Sequence, residues 1–223
     1  MSRYKLTFAK RGYMIFTSHL DMQRLFKRAF KRAGIALAYS QGYNPHPLMS
    51  FAQPLSLGYY SESEILEFKT TENHSGKYIA EKLPEVMPEG LVILGCERMS
   101  DTEKTIASRC YAADYRILID FRGDKAAAKK AAGSIGGYLD QDEIVVLKKT
   151  KKKKEPVPVD IKNKIRSIDL DLADDIIIMK TKLDAGSDSN LSPELVLKSF
   201  FAYNNIELHR ENIDISRLQI LYQ

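Results

Sequence analysis

Apolar and polar positions along the chain follow two rhythms, one of about two residues and one of about 3.6, and the change between them marks strands and helices. Tyr4, Leu6 and Phe8 alternate with Lys5, Thr7 and Ala9, which predicts a strand over Tyr4–Ala9. Tyr13–Phe16 either extends that strand or forms a short second piece. Met22, Leu25, Phe26, Ala29, Phe30 and Ala33 then recur at helical spacing. Ser18, with Asp21 three residues on, opens this helix as a capping box, and Gly34 stops it. Ile35–Ser40 is apolar enough for a strand, and Ser63–Thr70 alternates again. Ser75–Val86 reads as a helix ended by Pro88 and Gly90, and Leu91–Met99 as a strand. The order is βαββαβ.

The same order returns further on. Tyr111–Phe121 reads as a strand, and Asp124–Tyr138 as an alanine- and lysine-rich helix weakened by Gly133, Gly136 and Gly137. Glu143–Lys149 and Ile176–Leu183 read as strands. Ser192 and Pro193, as N-cap and first helical residue, open a helix to Tyr203, and Ile213–Tyr222 is the final strand. The expectation is an α+β fold of two tandem ferredoxin-like (βαββαβ) halves with antiparallel sheets, residues 1–103 and 104–223. A single mixed sheet is the alternative.

Charge changes this picture. The net charge is +5, and it is unevenly spread. Residues 1–58 hold nine Lys/Arg against one acid, whereas residues 59–109 hold six against ten. Such asymmetry points to a polyanionic partner. On the Ser18–Gly34 helix, Arg24, Lys27, Arg28, Lys31 and Arg32 fall at i, i+3, i+4, i+7 and i+8, a single basic stripe. A solvated face is the plain alternative, but solvated faces usually mix signs, and five positives repel unless a phosphate backbone offsets them. A second basic run, KKTKKKKE, spans Lys148–Glu155 and includes Lys151, Lys152, Lys153 and Lys154. It reads either as a solvated hairpin or as an electrostatic arm that gives affinity without sequence choice.

Between the basic helix and the next strand lies SQGYNPHPLMSFAQPLSLGY, Ser40–Tyr59. Its prolines and glycines exclude helix and central strand. Tyr39, Tyr43, Phe51, Tyr59 and Tyr60 offer flat surfaces for unpaired bases, and Gln41 and Asn44 offer paired donors and acceptors. Pro45 and Pro47 flank His46 and stiffen the segment, which lowers the ordering cost of binding. A structural loop covering a sheet edge is the alternative. Tyr43, Asn44 and His46 are the residues expected to read or stack a base. His19 and His46 are the alternative catalytic pair, as general base and acid of metal-free RNA cleavage.

Several chemistries lack their signatures. There is no Gly-rich loop ending in Lys-Ser/Thr, no GxSxG and no HExxH. Cys96 and Cys110 are too far apart for a zinc or iron–sulfur site, and the four histidines form no metal-type pair. No metal or cofactor is expected. No apolar run approaches the roughly 20 residues of a membrane span, and the N-terminus lacks the h-region of a secretory signal. The expected compartment is the cytoplasm, without membrane.

Ser18-His19-Leu20-Asp21 and Gly42-Tyr43-Asn44-Pro45-His46-Pro47, within Phe16–Gly58, resemble the hallmark of an uncharacterised bacterial family of radical-SAM-associated proteins, a domain of unknown function. The resemblance extends over most of the chain and weakens after about residue 150. It looks like the free-standing form, because the cluster cysteines are missing. It implies a radical SAM protein as partner and supplies no activity. At fold level alone, the tandem order also resembles the RAMP superfamily, which includes RNA-processing nucleases. The glycine-rich loop of those proteins has no counterpart here, where HREN precedes Ile213. The resulting expectation is a non-catalytic RNA-binding accessory module that presents RNA to a radical SAM protein. The alternatives are a metal-independent endoribonuclease using His19 and His46, and a docking module for a radical SAM subunit.

Overall fold

The structure, a computed structural model, describes residues 1–150, 153–207 and 209–223, with the backbone alone at 149, 150, 153 and 154. It is a mixed α and β fold whose sheet pairing is mostly antiparallel. The chain divides into two compact units, Met1–Cys110 with Arg217–Gln223, and Tyr111–Ser216.

In the first unit, β1 (Ser2–Lys10) leads through a 3-10 turn (Gly12–Phe16) into α1 (His19–Arg32). Then follow β2 (Met49–Phe51), β3 (Tyr60–Thr70), α2 (Gly76–Lys82) and β4 (Leu91–Met99), with a short α3 (Ile106–Arg109) after them. β1 pairs with both β3 and β4, and β2 pairs with β3, all antiparallel. The spatial order is therefore β4-β1-β3-β2. Tyr4, Leu6 and Phe8 on β1 and Leu66 and Phe68 on β3 turn one face toward Met22, Phe26, Ala29 and Phe30 of α1. Each such buried Leu, Phe or Met side chain stabilises the fold by about 1.5–3 kcal/mol. Rings interlock there, with Phe30–Phe68 centroids at 4.5 Å and Phe8–Phe26 at 4.9 Å.

The second unit runs β5 (Cys110–Asp120), α4 (Lys125–Gly133), α5 (Ile135–Asp140), β6 (Val145–Thr150), β7 (Lys153–Asp160), β8 (Ile165–Ala173), β9 (Ile176–Asp184), α6 (Pro193–Asn204) and β10 (Ile213–Tyr222), except that Cys110 of β5 and the Arg217–Tyr222 part of β10 belong to the first unit. Its strand order is β10-β5-β9-β8, while β6 and β7 form a separate two-stranded sheet. Ile117, Ile119, Ile177 and Met179 from the strands and Val196, Leu197 and Phe200 from α6 are buried.

Four local expectations need correction. Tyr13–Phe16 lies in a 3-10 turn and neither extends β1 nor makes a strand. Glu143–Lys149 does not join the main sheet; that place belongs to β8, whose apolar Ile168, Leu170 and Leu172 alternate with Asp169 and Asp171, acids that disguise a strand. The Asp124–Tyr138 helix breaks into α4 and α5 at Ser134. Ile35–Ser40 is not a continuous strand.

That last difference shapes the Pro-rich loop. Leu37 bridges Thr70, and the Ala38 amide donates to the Lys69 carbonyl at 2.8 Å. The chain then leaves the edge of β3 and rejoins it at Leu48, whose carbonyl accepts from the Lys69 amide at 2.9 Å. Residues 39–47 are an excursion from one strand position. A Tyr39–Pro47 bridge closes its neck. Pro45 and Pro47 cannot donate to a ladder, so the segment loops out where a regular strand would have run.

Candidate functional site

α1 begins as its sequence dictates. The Ser18 hydroxyl accepts from the Asp21 amide at 3.2 Å and donates to the Asp21 carboxylate at 2.7 Å. The Ser18 hydroxyl first, and Arg24 second, hold that carboxyl below its ordinary value. With Met22, Phe26, Ala29 and Phe30 committed to the core, the basic residues must face outward, and all five are exposed.

Beside this face runs a groove of about 630 Å³. Thr17 and Asp21 mark one end, Arg24, Arg28, Lys31 and Arg32 line its length, and Pro88 forms part of the opposite wall. Arg24 pairs with Asp21 at 3.1 Å, and Arg32 donates to the Val86 carbonyl across the groove. Among the described residues, Arg28 and Lys31 have no acidic partner. Lys27 sits at the edge of the stripe, its Nζ 5.7 Å from the Tyr39 ring centroid, a cation–π contact that links the helix to the neck of the loop.

The loop is fastened at its base. The Ser40 amide donates to the His46 carbonyl at 2.9 Å, and the His46 amide donates to the Ser40 hydroxyl at 3.1 Å. Nδ1 of His46 lies 3.0 Å from that same hydroxyl. His46 is thus an exposed clasp, while Gln41, Tyr43 and Asn44 form the open tip. Tyr43 is fully exposed. Gly42 turns the tip at φ +124°, a conformation that other residues rarely adopt.

The two histidines are not brought together. The His19 ring packs edge-on against Phe51 at 5.2 Å, with Nε2 3.2 Å from the Gln23 amide nitrogen. His19 lines a small pocket of about 20 Å³ with Lys10, Gln53 and Glu64, room for about one water. His46 lines a different hollow of about 280 Å³, with Met49, Glu67 and Lys69. Of the lysine run, Lys151 and Lys152 lie outside the described residues. Lys153 and Lys154 are placed at the start of β7 by their backbone.

Sequence reasoning missed what stands beneath the site. Glu64 and Arg217 are both buried and joined by two hydrogen bonds, one of them Nε–Oε1 at 2.8 Å. Arg217 also donates to the Gln53 and Pro54 carbonyls, at 3.0 and 3.3 Å, which fixes the chain after β2. Lys10, buried too, donates to the Ile15 and Thr17 carbonyls at 3.3 and 3.0 Å. Burial pushes its ammonium below the usual lysine value; Glu64 opposes that and Arg217 adds to it. Glu64 and Lys10 stand on strands that carry other charges, Lys5 and Glu67 among them, so nothing local singled them out, and the Arg217 partner of Glu64 is distant in sequence.

A family model for uncharacterized proteins conserved in bacteria, DUF2344, matches residues 3–193. The chain belongs to this family. No curated protein matches it. Among solved structures, a chain in the crystal structure of a Cbf5-Nop10-Gar1 complex is similar at a TM-score of 0.51 and 7% identity, over 96% of this chain and 48% of that one. This chain therefore spans about half the length of that relative, and the likeness is one of fold. An unknown protein from Galdieria sulphuraria is 10% identical over 99% of this chain and 98% of its own, with a TM-score of 0.27. A putative glycine cleavage system transcriptional repressor is 10% identical over 100% and 98%, also at 0.27. Scores that low carry no argument. Among the described residues, no helix is long and apolar enough to cross a membrane, and no group of His, Cys, Asp and Glu is placed to hold a metal ion.

Proposed function

We propose that this protein is an RNA-binding accessory module that holds an RNA backbone along α1 and presents it to a modifying partner. The observation that carries the reading is the groove, whose length is lined by Arg24, Arg28, Lys31 and Arg32 while Asp21 guards one end. Arg24 and Arg32 already occupy neighbours, so Arg28 and Lys31 are the phosphate holders of first resort. The cation–π contact of Lys27 and the fastened loop carry Tyr43 and Asn44 beside that backbone, where a base could be stacked or read. The Lys151–Lys154 run adds a non-specific arm. A radical SAM protein is the partner implied by the motifs of residues 16–58.

We also read each unit as ferredoxin-like. What supports this is that the orders β4-β1-β3-β2 and β10-β5-β9-β8 each set the fourth, first, third and second strands of a βαββαβ run side by side. The endoribonuclease alternative has less support, since His19 and His46 line separate hollows.

The test is filter retention of total cellular RNA at two salt concentrations, wild type beside Arg24→Glu/Arg28→Glu/Lys31→Glu. The expected result is binding that weakens steeply with salt and collapses in the variant. Equal, weak retention by both would sink the reading.

A further inference from the structure

The groove ends at a patch that its charges do not explain. Tyr13 is 93% exposed and Phe16 is 66% exposed, on the turn between β1 and α1. Leu20 and Leu57 are exposed too. Leu20 stands one helical turn before Arg24, and Leu57 is held near by the Gly58 amide, which donates to the Ile15 carbonyl at 2.9 Å. A lone exposed apolar residue needs no explanation, but two exposed aromatic rings on one five-residue turn, with exposed leucines on the segments next to it, point to a contact surface.

The turn is rigid. The Arg11 amide donates to the Gly90 carbonyl at 2.8 Å, and the Thr17 amide to the Met14 carbonyl at 3.0 Å. The buried Lys10 ammonium holds the Ile15 and Thr17 carbonyls from below. Gly90, at φ +89°, lets the chains approach so closely that a Cβ there would meet the Arg11 carbonyl oxygen at 2.5 Å. Two aromatic rings are therefore held out in water by a framework that cannot fold them away. Thr17, the residue after Phe16, already lines the groove.

We infer that the ligand of this groove is single-stranded RNA, with phosphates on Arg24, Arg28, Lys31 and Arg32 and the adjoining unpaired bases stacked on Tyr13 and Phe16. This rests on the reading of the groove as a phosphate track. From Arg24 to Arg32 the helix advances about 12 Å, room for roughly two or three phosphates of an extended strand. Unpaired bases present their faces to aromatic side chains, whereas a duplex keeps its bases stacked inside and shows these rings only backbone. Charge supplies affinity for either form, and the two rings supply the preference between them.

The experiment compares a labelled oligouridylate with an RNA duplex of equal length, on wild type, Tyr13→Ala/Phe16→Ala, and the α1 charge-reversal variant. The ring variant should lose on the order of tenfold or more in strand affinity and keep its duplex affinity and salt slope. The charge variant should lose both ligands. If the ring variant binds the strand like wild type while the charge variant fails, this inference falls and the phosphate groove stands. If the charge variant binds like wild type, the groove itself is refuted. A second readout uses the absence of tryptophan from the chain. Tyr13→Trp provides a single indole, excited apart from the tyrosines at long wavelength, which should be quenched by the strand and not by the duplex. Unchanged fluorescence at saturating strand would overturn the inference.

Discussion

α1 and α4 each follow the first strand of their unit, and they manage positive charge in opposite ways. α1 spends its apolar residues on the core and leaves five cations outside, with Asp21 as the neighbouring acid. α4 buries Ala128 and Ala131, and its Lys125 meets Asp174 at 2.6 Å. Asp124 caps α4 through the Ala127 amide, and Asp120 and Asp175 bond the amides of the turn before it. Cations embedded among acids are an ordinary solvated surface. Cations left without acids carry a self-repulsion that folding alone does not relieve, and such a surface asks for a partner. α1 carries five such cations and α4 three, so the two helices differ in number as well as in neighbours.

The comparison can be broken in several ways. The largest effect concerns the base on which α1 sits. Arg217→Met should destabilise the protein by about 3–5 kcal/mol, because Glu64 is left buried without its cation; Lys125→Met on α4 should cost less than about 1 kcal/mol. Chemical denaturation of the two variants side by side would decide, and equal midpoints would refute the distinction. Next is charge itself. Reversal of Lys125, Lys129 and Lys130 to Glu should leave RNA retention near the wild-type level while the α1 reversal abolishes it. Equal losses would mean that net charge, not the groove, holds the RNA. Smaller still is the cap. Ser18→Ala should cost about 0.5–2 kcal/mol. Asp21 is held below its ordinary 3.8 in the fold, so its share of the cap is present above that value and is lost as pH falls through the lower folded value. Asp21→Asn should therefore flatten the acid limb of stability measured by thermal melts, and an unchanged limb would show that the cap carries no ionic part. Last, burial pushes the Cys96 thiol up to about 12, so at neutral pH it should resist alkylation until denaturant is added.

Much of the fold was legible where one residue sets one local outcome. Ser18 placed the start of α1, and the segments Leu91–Met99 and Ile213–Tyr222, read as strands, coincide with β4 and β10. The basic stripe was legible for the same reason, since helical spacing alone puts Arg24, Arg28 and Lys31 together. What depended on distant partners was hidden. Nothing local says that Ala38 and Leu48 occupy one strand position, because that position exists only on the edge of β3. Nothing near Glu64 announces Arg217, 153 positions away. Tyr13 and Phe16 looked like strand residues because aromatic composition reports β propensity, not exposure.

The return of Arg217–Gln223 to the first unit has a consequence in time. A ribosome makes about 5–20 residues each second and domains tend to fold as they emerge. Here α1, its groove and the loop are all synthesised early, while the guanidinium that neutralises Glu64 comes more than a hundred residues later. Until it arrives, Glu64 has the Lys10 ammonium and the Ser61 hydroxyl nearby but lacks the guanidinium that bonds both of its oxygens, so the frame of the basic groove is completed only once the second unit has been made.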